Sequence, residues 1–371
     1  MTFSKFKYDK LIIYPLIIFF IISILSISSA SMYVADTNLV LKQTSWYIVG
    51  LVLTILIIKF DNDFLYNNYK YLYIGGNILL ILLLLFAPSV NGSKCWFIIP
   101  HIGSFQPSEF MKLFLAITLA VNASKFNKSE SHSLKEEFMY ICKILLLTLI
   151  PAILTFLEPD TGVVFIYFII ALFILLNSNI KKRWFIIAFS IIIIILSIIF
   201  YLYFYNKNLF IKLFSTDLFY RLERILDWRN GIGYQLENSL TSIGSSGLFG
   251  HGFHNLPLYF PEAHTDFIFS VFTSCFGLIG ALVLIISIII FDLRLFNIAT
   301  NSYDLDKYLV FALLGMLMYQ QIQNISMTLG LLPITGITLP FISYGGSSLI
   351  SYMLIIGIIL NSSNKAQKKI I

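Results

Sequence analysis

Charge is scarce in this chain. Asp, Glu, Lys and Arg make up 12% of its 371 residues, about half the share usual in soluble proteins. Twenty-five basic and 19 acidic side chains cannot cover a soluble globule of this length without large bare apolar patches, which excludes a soluble enzyme. Cysteine is also scarce. Cys95, Cys142 and Cys275 lie in unrelated segments and give neither a disulfide framework nor a zinc spacing. Polar–apolar alternation is missing, which excludes barrel strands. What is present is 58% hydrophobic residues and a mean hydropathy of +0.85, too apolar for disorder. An all-α polytopic integral membrane protein remains. Its net charge of +6 reads as basic cytoplasmic loops and not as a nucleic-acid surface.

A hydrocarbon core about 30 Å thick needs roughly 20 apolar residues per helix. Apolar runs near 11–33, 43–59, 71–88, 108–124, 138–157, 163–179, 184–204, 265–291, 308–327 and 341–361 predict ten transmembrane helices. The first could serve as a signal peptide cleaved after Ile27-Ser28-Ser29-Ala30, but its apolar run is long for that role. With ten spans both termini share one side, and 17 of the 25 Lys and Arg fall there. Both termini are therefore expected in the cytoplasm. Eight of the ten prolines fall in or beside the other, outer loops. Shaped loops on a rigid scaffold carry function, so the chemistry is expected on the outer face.

A large extracellular loop, 205–264, separates helices 7 and 8. Within it 217–228 predicts an amphipathic helix, with Leu218, Phe219, Leu222, Ile225 and Leu226 on one face. Arg221 and Arg224 on its flank either snorkel to headgroups or clamp a lipid phosphate or pyrophosphate. Residues 238–261 are free of charge yet carry four glycines and many hydroxyls, which suits a re-entrant or surface segment better than an eleventh span. The loop ends in Pro261-Glu262-Ala263-His264-Thr265-Asp266-Phe267. Asp266 either complements the dipole of the helix that follows or forms, with Glu262 and His264, acid–base equipment at the membrane edge. His251, His254 and His264 match no strong metal-ligand spacing, so no metal site is read. Glu109 and Lys112 stand at i, i+3 in the fourth span; they neutralise each other, or Lys112 offers its ammonium to a phosphate. Trp96 is a belt tryptophan or a platform for a sugar face.

Taken together in order, these residues resemble the SEDS family (shape, elongation, division and sporulation), whose members polymerise peptidoglycan from lipid II. The resemblance rests on Gly92-Ser93-Lys94-Cys95-Trp96, Phe105-Gln106-Pro107-Ser108-Glu109 with Lys112, Glu158-Pro159-Asp160, Tyr220-Arg221 with Arg224, Gly231-Ile232-Gly233-Tyr234-Gln235, and residues 261–269 and 331–348. It implies one membrane domain over residues 1–371 and a peptidoglycan glycosyltransferase of the cell membrane, acting on a lipid-pyrophosphate donor with inversion. It implies Asp266 as the catalytic residue. Trp96, Glu109, Lys112, Arg221, Arg224, Gln235 and His264 are implied in substrate binding. The resemblance fixes no cofactor, and a divalent cation could share the pyrophosphate charge. Lipid II, membrane lipids and a class B penicillin-binding transpeptidase are the implied partners, with no nucleic acid. Thr273-Ser274-Cys275-Phe276 departs from the paired glutamates common in the family. Asn324-Ile325-Ser326-Met327-Thr328-Leu329-Gly330 resembles the RodA (elongation) branch more than FtsW (division) or the sporulation branch. Two other classes stay open: a lipid flippase, disfavoured by the nearly charge-free span centres, and a silent scaffold.

Overall fold

The computed structural model describes residues 9–33, 38–89, 93–99, 103–129, 131–214 and 233–370, with side chains to 366. Arg221, Arg224 and the amphipathic stretch 217–228 lie outside these residues. Each apolar run read from the sequence falls on a helix. In chain order these are α1 (Lys10–Ser31), α2 (Leu39–Phe60), α3 (Asn62–Asn67), α4 (Tyr69–Phe86), α5 (Pro107–Phe126), α6 (Leu134–Leu157), α7 (Thr161–Leu176), α8 (Arg183–Tyr205) and α9 (Lys207–Phe214). After the undescribed stretch come α10 (Tyr234–Ser245), α11 (Ile268–Asn301), α12 (Asp304–Thr328) and α13 (Gly346–Ile370). Among the described residues, seven helices are long and apolar enough to cross a membrane: α1, α2, α4, α6, α8, α11 and α13. Helix α7 is a shorter apolar helix.

Local chemistry sets several helix starts. Pro107 opens α5, where its missing N–H costs nothing. Ser133 and Glu136 form a capping box on α6. Asp160 caps α7 by accepting from the Val163 amide at 3.2 Å. A short antiparallel hairpin, β1 (Phe97–Ile99) with β2 (Gly103–Phe105), precedes α5 and pairs Phe97 with Phe105. Three-residue strands leave too little pattern to be legible in the sequence.

Helix α5 is the hub. Most of its side chains are buried, and it packs against α4, α6, α7, α12 and α13. Helix α13 lies along α2, and α1 lies along α11. Phe19 of α1 packs on Phe291 and Phe341, and its neighbour Ser23 donates to the Ile342 carbonyl at 2.8 Å. The first span is thus an integral part of the bundle. Helix α8 is the opposite case, burying none of its side chains.

The two ends of the bundle differ. At one end Asp306 accepts from Asn62, Tyr66 and Ser362, and Asp9 holds Arg294 at 2.8 Å. These bonds clasp α1, α3, α11, α12 and α13. The other end gathers the start of α2, the start of α5, the α6–α7 junction and the loops before α11 and α13, and these enclose a cavity.

Candidate active site

The cavity has a volume of about 930 Å³. Trp96, Glu109, Lys112, His264 and Asp266, all singled out in the sequence, line it together. Gln235 does not; it is half-buried in the first turn of α10. The described residues do not include Arg221 or Arg224.

Glu109 and Lys112 rise one helical turn apart from the start of α5. Their charged atoms stand 2.6 Å apart, and Lys112 is 1% exposed. The contact is ionic in character and not an aligned hydrogen bond, since the same carboxylate oxygen has no geometrically sound donor. The ammonium also lies 5.3 Å from the ring centre of Tyr352, whose hydroxyl donates to Gln320 at 2.6 Å. Burial strengthens such a pair and makes breaking it costly.

Asp266 sits in the tight turn just before α11, half-buried with its side chain on the cavity wall. Its main-chain carbonyl accepts from Asn324 at 2.8 Å, and Asn324 also donates to the Ile337 carbonyl at 2.8 Å. Tyr344 donates its amide to the His264 carbonyl at 2.9 Å, and Ser343 donates to the Thr265 carbonyl at 2.7 Å. The turn is therefore pinned from α12 and from the loop before α13. Burial pushes the Asp266 carboxyl up to about 7, and the negative charges of Glu262 and Asp160 add to the rise.

Asp160 is the second carboxylate on the wall. It accepts from Gln106 at 2.9 Å while capping α7. Burial raises it, the capping bond opposes the rise, Glu109 adds to it, and Lys112 and Gln106 oppose it. Next to it, Glu158 is fully buried and both its carboxyl oxygens lack a hydrogen-bond partner among the described residues. Burial, then Asp160, pushes Glu158 up to about 8, so it is mostly neutral at pH 7.

Several wall residues were not singled out in the sequence. Lys42 and Trp46 of α2 line the cavity one turn apart. Trp46 packs so closely on Gly346 that a Cβ there would lie 2.7 Å from the indole. Gln43 between them is buried, donating to Ser343 and accepting from Gly345. A lysine and a tryptophan at i, i+4 in the first turns of an apolar span was the available signal. Cys95 anchors the Trp96 loop by donating its thiol to the Glu158 carbonyl at 3.1 Å. Among the described residues no three His, Cys, Asp or Glu side chains converge in a group that could hold a metal ion.

The FtsW/RodA/SpoVE family of cell cycle proteins matches this chain over residues 6–368. The chain belongs to that family. It is a multi-pass protein of the bacterial cytoplasmic membrane. Among curated relatives, the probable peptidoglycan glycosyltransferase FtsW of Wigglesworthia glossinidia brevipalpis is 33% identical, covering 96% of this chain and 93% of the relative. The protein of the same name from Enterococcus hirae is 32% identical over 98% and 94% of the two chains. A solved structure described as structural coordination of polymerization and crosslinking by a peptidoglycan synthase complex superposes with a TM-score of 0.80 at 25% identity, covering 96% and 97%. The rod shape determining protein RodA of Thermus thermophilus superposes at 0.69 and 25% identity, covering 96% of each chain.

These relatives correct one expectation. The curated relatives carry the division name FtsW, so the elongation preference drawn from residues 324–330 gains no support. The structure shows what two of these residues do. Asn324 spends its amide on the turn that carries Asp266, and Gly330 takes a φ of +70° after α12. Both tasks serve the backbone around Asp266 and the end of α12 in this chain.

Proposed function

We propose that this chain is a peptidoglycan glycosyltransferase that polymerises lipid II at the outer leaflet. The observation that carries the reading is Asp266, half-buried on the wall of a cavity that also holds Lys112, Glu109, Asp160 and Trp96. The relatives' shared name supports the same activity.

The chemistry follows from that wall. A sugar hydroxyl of the acceptor attacks the anomeric carbon of the lipid-linked donor. Its proton passes to Asp266, the new carbon–oxygen bond forms, and the bond to pyrophosphate breaks with inversion. A base is most effective when its pKa lies near the working pH, contributing about 10²–10⁴-fold. The raised Asp266 carboxyl meets that condition. Pyrophosphate leaves as an anion and needs positive charge, which Lys112 offers beside Glu109, with Arg221 and Arg224 joining from the large loop. Trp96 offers a face to a sugar ring, and His264 flanks the approach.

The membrane arrangement we infer has ten spans over one domain, 1–371. The buried α5 and α12 and the short α7 cross with the seven apolar helices. Both termini are cytoplasmic, and the loop 205–264 stands outside. This orientation puts the cavity at the outer leaflet, where the polyprenyl tail stays in lipid. The division branch fits at least as well as the elongation branch, and a class B penicillin-binding transpeptidase is the expected partner.

Incubating the purified chain with lipid II, with and without such a transpeptidase and a chelator, tests the reading. Glycan polymer supports it. Transfer of lipid II across vesicles without polymer would instead indicate a flippase, and neither activity would indicate a scaffold.

A further inference from the structure

Helix α11 is broken at Gly277, whose φ of 66° and ψ of −165° no other residue type adopts readily. The break opens two rungs of the helical ladder, from Leu278 to Ser274 and from Ile279 to Cys275. Residues 247–252 enter the gap. His251 donates its amide to the Ser274 carbonyl at 2.9 Å, and Gly252 donates to Cys275 at 3.1 Å. On the other side Leu278 donates to the Gly247 carbonyl at 3.0 Å, and Ile279 donates to Leu248 at 3.2 Å. Two helical bonds are thus replaced by four bonds to the loop, as an apolar surrounding requires.

The contact is backbone on backbone. A Cβ on Gly250 would collide with the Cys275 carbonyl, and one on Gly277 with Gly250 and Leu248 main-chain atoms. Gly250 also has a φ of +79°. The returning part of the loop is fixed to α1 and the turn that follows it, where Ser28 meets His254 at 2.8 Å and Tyr33 donates to the Leu256 carbonyl at 2.7 Å. On its far side the short upper piece of α11, residues 268–276, is tied through Ser239. That hydroxyl lies 2.6 Å from Ser270 and donates to the Thr328 carbonyl at 2.9 Å. Asp266 stands two residues before this upper piece. The direction of this upper piece is held by the loop and by Ser239, which add to the bonds from Asn324, Ser343 and Tyr344 that pin the turn carrying Asp266.

We propose that the Gly250–Gly277 junction and the Ser239 tie are positioning elements of the glycosyl transfer, holding the half-helix that aims Asp266 into the cavity. The inference rests on the glycosyltransferase reading above. A misplacement of about 1 Å costs on the order of 100-fold in rate, so a loosened junction acts on turnover before it acts on binding.

The test uses the full chain purified with wild-type, Gly250→Ala and Ser239→Ala sequences, the last adding no bulk. Lipid II polymerisation gives kcat, KM and the pH profile, and hydrogen exchange reports residues 266–279. Gly250→Ala is expected to lower kcat by about 10- to 100-fold with KM little changed, to displace the acid limb, and to speed exchange in 268–276. Ser239→Ala is expected to lower kcat by about threefold in the same pattern. A folded Gly250→Ala chain with wild-type kcat and pH profile overturns the proposal. If Gly250→Ala does not fold, wild-type kcat and exchange in Ser239→Ala overturn it. A wild-type chain that makes no polymer refutes the glycosyltransferase reading instead. The junction itself is then judged by exchange alone, and unchanged exchange in folded Gly250→Ala refutes it.

Discussion

Gln106 donates to the carboxylate of Asp160 at 2.9 Å, joining the residue that precedes α5 to the cap of α7. Both line the cavity with Asp266, and the negative charge of Asp160 adds to the rise that burial and Glu262 impose on the Asp266 carboxyl. The pair therefore sets the electrostatics of the wall as well as its shape.

A pH prediction follows from this coupling. Asp266 acts as a base only when ionised, and its pKa is raised, so activity should fall as pH drops through about 7. Asp160→Asn keeps a good capping side chain but removes the like charge. Its acid limb should move to lower pH in a lipid II polymerisation series, whereas an unmoved limb would remove Asp160 from the account.

The Glu109–Lys112 pair should behave as a buried ion pair. Lys112→Ala strands a buried carboxylate and is expected to cost about 3–5 kcal/mol. Glu109→Gln with Lys112→Met, which removes both charges, should cost much less. Thermal unfolding in detergent measures both; equal losses would mean that charge pairing is not what matters there.

Glu158 gives a prediction about stability alone. Its pKa is raised on folding from 4.5 to about 8. The folded state thus holds its proton more tightly, and the stability present below pH 4.5 is lost as pH rises through about 8. Glu158→Gln removes that loss. The variant should gain on wild type between pH 5 and pH 8 by on the order of 3 kcal/mol, read as the difference in their melting-temperature profiles. Parallel profiles would mean that Glu158 finds a partner in solution.

Trp96 is expected to work through its face. Trp96→Ala should raise KM for lipid II by about tenfold, in line with about 1.4 kcal/mol of lost stacking, while Trp96→Phe keeps most of it. Equal KM in all three would return Trp96 to the role of a belt residue.

Much of this was legible in the sequence, for physical reasons. Long Ile, Leu and Phe runs report helices directly, so each expected run falls on one. The acidic turn at 262–266 and the i, i+3 pair at 109 and 112 stood out because charge is rare here. Other parts were hidden. Helix α11 continues to Asn301 past the charged Asp292 and Arg294 because each has a partner, Gln321 and Asp9. The break at Gly277 left no mark in an apolar run, since its cause is a loop distant in sequence. Lys42 and Trp46 looked like the start of a span, and only the packing of α2 on the loop before α13 brings them to the wall. Among residues 238–261 no helix is long and apolar enough to cross a membrane, and that residues 247–252 complete the ladder of α11 is a tertiary fact.

The most direct test of the central claim is lipid II polymerisation by the purified Asp266→Asn chain beside wild type. The side chain stays nearly isosteric, so lipid II binding should persist. Glycan synthesis should fall by about 10²–10⁴-fold at every pH. Polymerisation at the wild-type rate would contradict the account, because no base would then be needed at the wall of this cavity.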